Sequence, residues 1–104
     1  MPTPFACDMT AIPTEQRSAH HALIRRLMTQ AVEEIRESPN GLSFRFPASE
    51  YEALAEFMRR ERLCCPFLTF ALELAPEQGP LTLRLTGPEG VVPFIRAELD
   101  LPPG

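Results

Sequence analysis

Residues 68–86 read LTFALELAPEQGPLTLRLT. Leu68, Phe70, Leu72 and Leu74 alternate with Thr69, Ala71 and Glu73, so an extended chain here has one apolar and one polar face. After the turn residues APEQGP, Leu81, Leu83 and Leu85 repeat the pattern. Two alternating runs joined by a Gly-containing turn predict an antiparallel β-hairpin. Its apolar face needs a cover, which the flanking segments supply.

Upstream, LSFRF at 42–46 alternates in the same way and predicts a third strand, with Leu42, Phe44 and Phe46 on one face. Between the strands, SEYE at 49–52 fits a capping box, in which Ser49 and Glu52 satisfy each other's free amides. The helix that follows turns Tyr51, Leu54, Phe57 and Met58 inward. It ends at about Cys64, because Pro66 disfavours helical geometry at Cys65. Residues 14–37 predict a long first helix. Thr14 is its N-cap, Leu23, Ile24, Leu27, Met28, Ala31, Val32 and Ile35 fall at helical spacing, and SPNG at 38–41 stops it. After GPEG, the run VVPFIRAEL predicts a last helix, with Pro93 tolerable only near its first turn. The expected fold is a single α+β domain over 1–104 in the order α-β-α-β-β-α. A small antiparallel sheet carries helices packed on one face. Residues 1–13 form an extended leader punctuated by Pro2, Pro4 and Pro13, and residues 101–104 form a Pro-rich tail.

At 104 residues the chain is long enough to build one modest core without staples. The net charge of −4 and the lack of a basic stripe disfavour nucleic-acid binding. No window approaches the roughly 18 apolar residues of a membrane span, and the N-terminus has no signal-peptide pattern. The expected location is the cytoplasm. Three cysteines, an odd number, argue against a purely disulfide framework. In a reducing compartment such thiols are packing residues, metal ligands or redox groups.

The segment ERLCCPFLTF at 61–70 concentrates the chemistry. One buried cysteine needs no special account, since cysteine packs as a small hydrophobe. Two adjacent ones cannot both face the core from a regular helix, where neighbours point about 100° apart. Pro66 breaks the helix and lets the sulfurs of Cys64 and Cys65 converge at a helix-to-strand corner. Thiolates are soft ligands and favour Zn(II), Cu(I) or Hg(II). Cys7 in the leader is a third candidate, with a surface thiol as its plain alternative. His20 lies on the inward line of the first helix and is a candidate ligand or base, with a structural histidine as the alternative. Glu61 falls on the buried side of the second helix, where a carboxylate needs a partner. Arg62, Arg45 or Arg59 is the simple partner. In the sharper reading, Glu61 orients a metal ligand and Arg62 favours the thiolate form of a cysteine.

Ala6-Cys7, Arg17 and His20, Glu61-Arg62-Leu63-Cys64-Cys65-Pro66-Phe67 and Leu85-Thr86-Gly87-Pro88-Glu89-Gly90 together resemble a group of small bacterial proteins associated with heavy-metal resistance. The similarity runs over most of the chain, and its Glu-Arg-x-Cys-Cys-Pro-Phe segment is the most specific part. The resemblance implies that Cys7, Cys64, Cys65, His20, Glu61 and Arg62 belong to one site. It brings no activity, substrate or cofactor with it.

The leading expectation is a soft-metal-binding protein for sequestration, delivery or sensing, using Cys64 and Cys65 with Cys7 or His20. One alternative is a thiol-redox or thiol-transfer enzyme using Cys64 or Cys65. The other is a structural or protein-interaction domain with buried cysteines, in which a second copy of the chain is a candidate partner.

Overall fold

The computed structural model describes residues 6–102. The first five residues of the expected leader, with Pro2 and Pro4, lie outside them, as do the last two of the tail. The described chain is α+β. It contains helices α1 (Thr14–Arg26), α2 (Tyr51–Cys64) and α3 (Val91–Glu98), and strands β1 (Glu34–Ser38), β2 (Gly41–Phe46), β3 (Thr69–Leu74) and β4 (Leu81–Thr86). The strands form one antiparallel sheet in the order β1-β2-β4-β3.

The alternating patterns determine the sheet's register. Phe44 stands opposite Leu83, Leu42 opposite Leu85 and Phe46 opposite Leu81, and all six are buried. Helices cover this face. Ile24, Leu27 and Met28 come from α1 and the turn after it, Leu54 and Phe57 from α2, and Val91, Val92, Ile95 and Leu99 from α3 and its end. The opposite face carries Arg45 paired with Glu33 and Glu34, and Arg84 paired with Glu73. These are the solvated pairs such a face accommodates, each worth about 1 kcal/mol or less. β3 is an edge strand. Phe70 and Leu72 are half-buried against the core, but Leu74 at the strand's end is exposed rather than inward.

One element departs from expectation. The first helix ends early, in a π-type turn at Leu27–Ala31 closed by the Val32 amide on the Leu27 carbonyl. Val32 leaves helical geometry, and Glu34–Ser38 forms an additional strand beside β2. The SPNG signal is therefore a hairpin turn, with Ser38 and Gly41 paired across Pro39-Asn40, and not a helix stop. The residues of this run pair across strands instead: Glu34 faces Arg45, and Ile35, read as part of a helical stripe, sits opposite Phe44. Gly41 is required at this hairpin, because a side chain there would run into the Leu85 carbonyl of β4.

The helix starts also differ in detail. Pro13, not Thr14, occupies the cap of α1, and neither cap of α1 nor that of α2 makes a side-chain hydrogen bond. The expected Ser49–Glu52 box gives way to a 3-10 turn at Ala48–Glu50. That turn places Glu50 against Arg26 at 2.8 Å, joining α1 to the start of α2. Tyr51 is consequently exposed. Pro93 sits in the first turn of α3, where it removes no intrahelical hydrogen bond.

Candidate metal centre

The site is built at the C-terminus of α2. Cys64 is the last helical residue, and Cys65 leaves the helix at φ −126°, ψ 68° ahead of Pro66. That break turns both sulfurs inward. They lie 3.7 Å apart, and neither residue is exposed. Glu61 stands three and four residues earlier on the same helical face. Its carboxylate lies 3.7 Å from Cys64 Sγ through Oε1 and 3.5 Å from Cys65 Sγ through Oε2.

The leader crosses over this corner. A 3-10 turn at Met9–Ala11 is capped by Asp8, whose side chain accepts the Thr10 amide. The Asp8 amide donates to the Cys64 carbonyl at 2.9 Å, and the Arg17 guanidinium donates to the Met9 and Ile12 carbonyls. Ile12 is fully buried against Cys64 and Cys65. Thus Cys7 is not a thiol on a free tail: it reaches the pair. Cys7, Cys64, Cys65 and Glu98 present ligand atoms that all lie within 4.8 Å of one another. Glu98, the last residue of α3, was not singled out by the sequence. It is one of 14 acidic residues, and no local motif marks it.

His20 faces inward from α1, beside the cluster and not among its four ligand atoms. It is wholly buried on α1 and stacked near Phe57, and its Nε2 lies 2.8 Å from Glu61 Oε1. It therefore stands behind Glu61, outside the group of four ligand atoms. Its Nδ1 is buried without a hydrogen-bond partner. The partner of Glu61 is thus His20, not an arginine. Arg45 serves Glu33 and Glu34, Arg59 serves Glu56, and Arg62 is exposed along the groove between α2 and β3. Residue 62 falls about 100° around the helix from residue 61, so the two cannot share the buried face.

The two carboxyls are driven apart. Burial pushes Glu61 up, but hydrogen bonds from His20 and Glu98, the His20 charge and the Cys65 thiol outweigh it and hold Glu61 below the usual glutamate range. Burial and the adjacent Glu61 carboxylate raise Glu98 from 4.5 to about 7, with the Cys7 hydrogen bond pulling the other way. The Cys64 hydrogen bond, burial and the Glu61 charge push the Cys65 thiol up, and burial with hydrogen bonds to Cys64 and Glu98 does the same to Cys7. Both shifts favour the protonated thiols of Cys7 and Cys65 beside these acids. Such surroundings suppress the free thiolate that a nucleophilic cysteine needs. A metal ion changes the balance, because its charge offsets the acids and displaces the thiol protons.

Glu98 also lines a cleft of about 240 Å³ beside α1, together with His21, Arg25 and Leu99. None of the described helices is long and apolar enough to cross a membrane.

No family model matches this chain, and neither a curated protein nor a solved structure matches it. The geometry alone defines the class of site: a cluster of three thiols and one carboxyl, with Cys64 and Cys65 buried and Cys7 and Glu98 partly so, that could hold a metal ion.

Proposed function

We propose that this protein binds a soft metal ion through Cys7, Cys64 and Cys65, with Glu98 as a fourth donor, and serves in sequestration, delivery or sensing. The observation that carries this reading is the convergence of three sulfurs and a carboxyl from the leader, the end of α2 and the end of α3 within 4.8 Å. Metal–sulfur bonds of roughly 2.3 Å in a tetrahedron place sulfurs about 3.8 Å apart. The Cys64–Cys65 separation of 3.7 Å already matches that edge. Glu61, held by His20, orients the two thiols from behind, as carboxylates do in outer shells around metals. Thiolate donors select Zn(II), Cu(I), Hg(II) and similar ions over Mg(II) or Ca(II). The likeness of the Glu61–Phe67 segment to bacterial proteins from heavy-metal-resistance settings agrees with this choice. A thiol-redox role has less support, since burial and neighbouring acids disfavour the thiolates of Cys7 and Cys65.

The test is titration of the reduced protein with Cd(II), read by thiolate-to-metal charge-transfer absorption. The expected result is saturation at one ion per chain, abolished in a folded Cys64→Ser/Cys65→Ser variant and weakened in Cys7→Ser. Cys7 is only half-buried, so its replacement spares the core. Equal binding by wild type and the double variant overturns the reading.

A further inference from the structure

A fourth sulfur stands at the site. Met9 Sδ lies 3.7 Å from Cys7 Sγ, and the Met9 side chain packs against the cluster of Ile12, Cys64 and Cys65. Two sulfur pairs, Cys7 with Met9 and Cys64 with Cys65, thus show the same 3.7 Å separation. The sulfurs of Cys7, Cys64 and Cys65 are also within 4.8 Å of one another. Both 3.7 Å separations match the edge of a sulfur tetrahedron around one metal ion, and Cys7 belongs both to the Met9 contact and to the three-thiol group.

We propose that Met9 is a metal ligand, and that the resulting three-thiol, one-thioether set selects a monovalent thiophilic ion, Cu(I) or Ag(I). A neutral thioether adds no charge and is a poor donor to Zn(II), but it is a good donor to Cu(I). Divalent ions instead draw on the Glu98 carboxyl, which is within reach of the same three thiols. The site therefore has two alternative fourth donors, one on the leader and one on α3, suited to ions of different hardness. On binding, each coordinating thiol releases its proton to solvent, and Met9 has none to release. Met9 lies on the leader turn that Arg17 and the Asp8–Cys64 hydrogen bond hold against the cysteines. Met9 as a filler of irregular space beside the cysteines is the alternative, since methionine packs adaptably.

This inference rests on the soft-metal reading above, and the experiment separates the two. Met9→Leu preserves volume and apolar character while removing the donor. Wild type, Met9→Leu and Glu98→Gln are compared under anaerobic reducing conditions, with Cu(I) competed against bicinchoninate and Zn(II) against a chromophoric chelator. Met9→Leu is expected to weaken Cu(I) by about tenfold or more and leave Zn(II) within about twofold, while Glu98→Gln does the reverse. In the wild type, Ag(I) is expected to move the Met9 methyl carbon resonance and leave those of Met28 and Met58 in place. Unchanged Cu(I) binding in Met9→Leu, or equal weakening of both ions, overturns the role of Met9 while leaving the thiol site standing. Absence of binding of either ion to the wild type overturns both proposals.

Discussion

His20 Nε2 and Glu61 Oε1 lie 2.8 Å apart in a site where neither side chain is exposed, and this contact joins α1 to the end of α2 directly behind the thiols. Removing one member of this buried hydrogen-bonded pair strands the other. His20→Leu is expected to destabilise the protein by about 3–5 kcal/mol, and His20→Leu/Glu61→Leu to recover most of the loss. Urea denaturation of the three proteins checks this. A single variant within about 0.5 kcal/mol of wild type contradicts it.

Glu98 predicts an unusual pH dependence for the metal-free protein. Its folded value lies above its unfolded one, so the folded state binds more protons between pH 4.5 and about 7. The stability it contributes is complete below 4.5 and lost as the pH rises through about 7. At about 1.36 kcal/mol per pH unit the upper limit is about 3.4 kcal/mol. Glu98 is half-exposed, and solvent screening reduces that to about 1–2 kcal/mol. Glu61 has the opposite sign: its folded value is depressed, and its contribution disappears in acid as the pH falls through that value. Stability is therefore expected to peak near about pH 5, and Glu98→Gln to flatten the decline above it. Denaturation midpoints across pH 4–8, measured without metal, decide the matter.

Arg17 holds the leader over the cysteines through the Met9 and Ile12 carbonyls. Hydrogen bonds to a charged donor are worth about 1.5–3 kcal/mol. Arg17→Ala is expected to raise the rate of Cys7 alkylation by about tenfold or more, since each 1.4 kcal/mol is a factor of ten in a local opening equilibrium. Saturating metal is expected to restore protection. Timed alkylation followed by peptide mass spectrometry reads both effects.

Gly41→Ala places a methyl group against the Leu85 carbonyl and the Thr86 side chain across the β2–β4 pairing. Backbone cannot yield there as a flexible side chain would. The expected loss is about 2 kcal/mol or more in urea, with the site residues untouched.

The particular residues show where sequence reasoning reaches and where it stops. Leu42, Phe44 and Phe46 with Leu81, Leu83 and Leu85 announced a one-faced sheet, because a period of two leaves no other burial pattern. Pro66 announced the corner at Cys64-Cys65 through purely local sterics. The strand Glu34–Ser38 was hidden, because glutamate and arginine suit helices and only pairing with β2 overrides them. Partners across the fold were hidden for a related reason. Glu61 has arginines beside it in sequence, yet helical rotation points Arg62 to solvent and tertiary packing delivers His20. Glu98 converges on the cysteines only because α3 crosses the sheet and ends there, and nothing in RAELD signals that.

The central claim is that Cys7, Cys64 and Cys65 engage one metal ion together. X-ray absorption at the edge of the bound metal, on protein loaded with one equivalent of Zn(II), counts those sulfurs directly. Three sulfur scatterers at about 2.3 Å, completed by one oxygen at about 2.0–2.2 Å, are the predicted result. A shell of nitrogen and oxygen alone, or a single sulfur, contradicts the account.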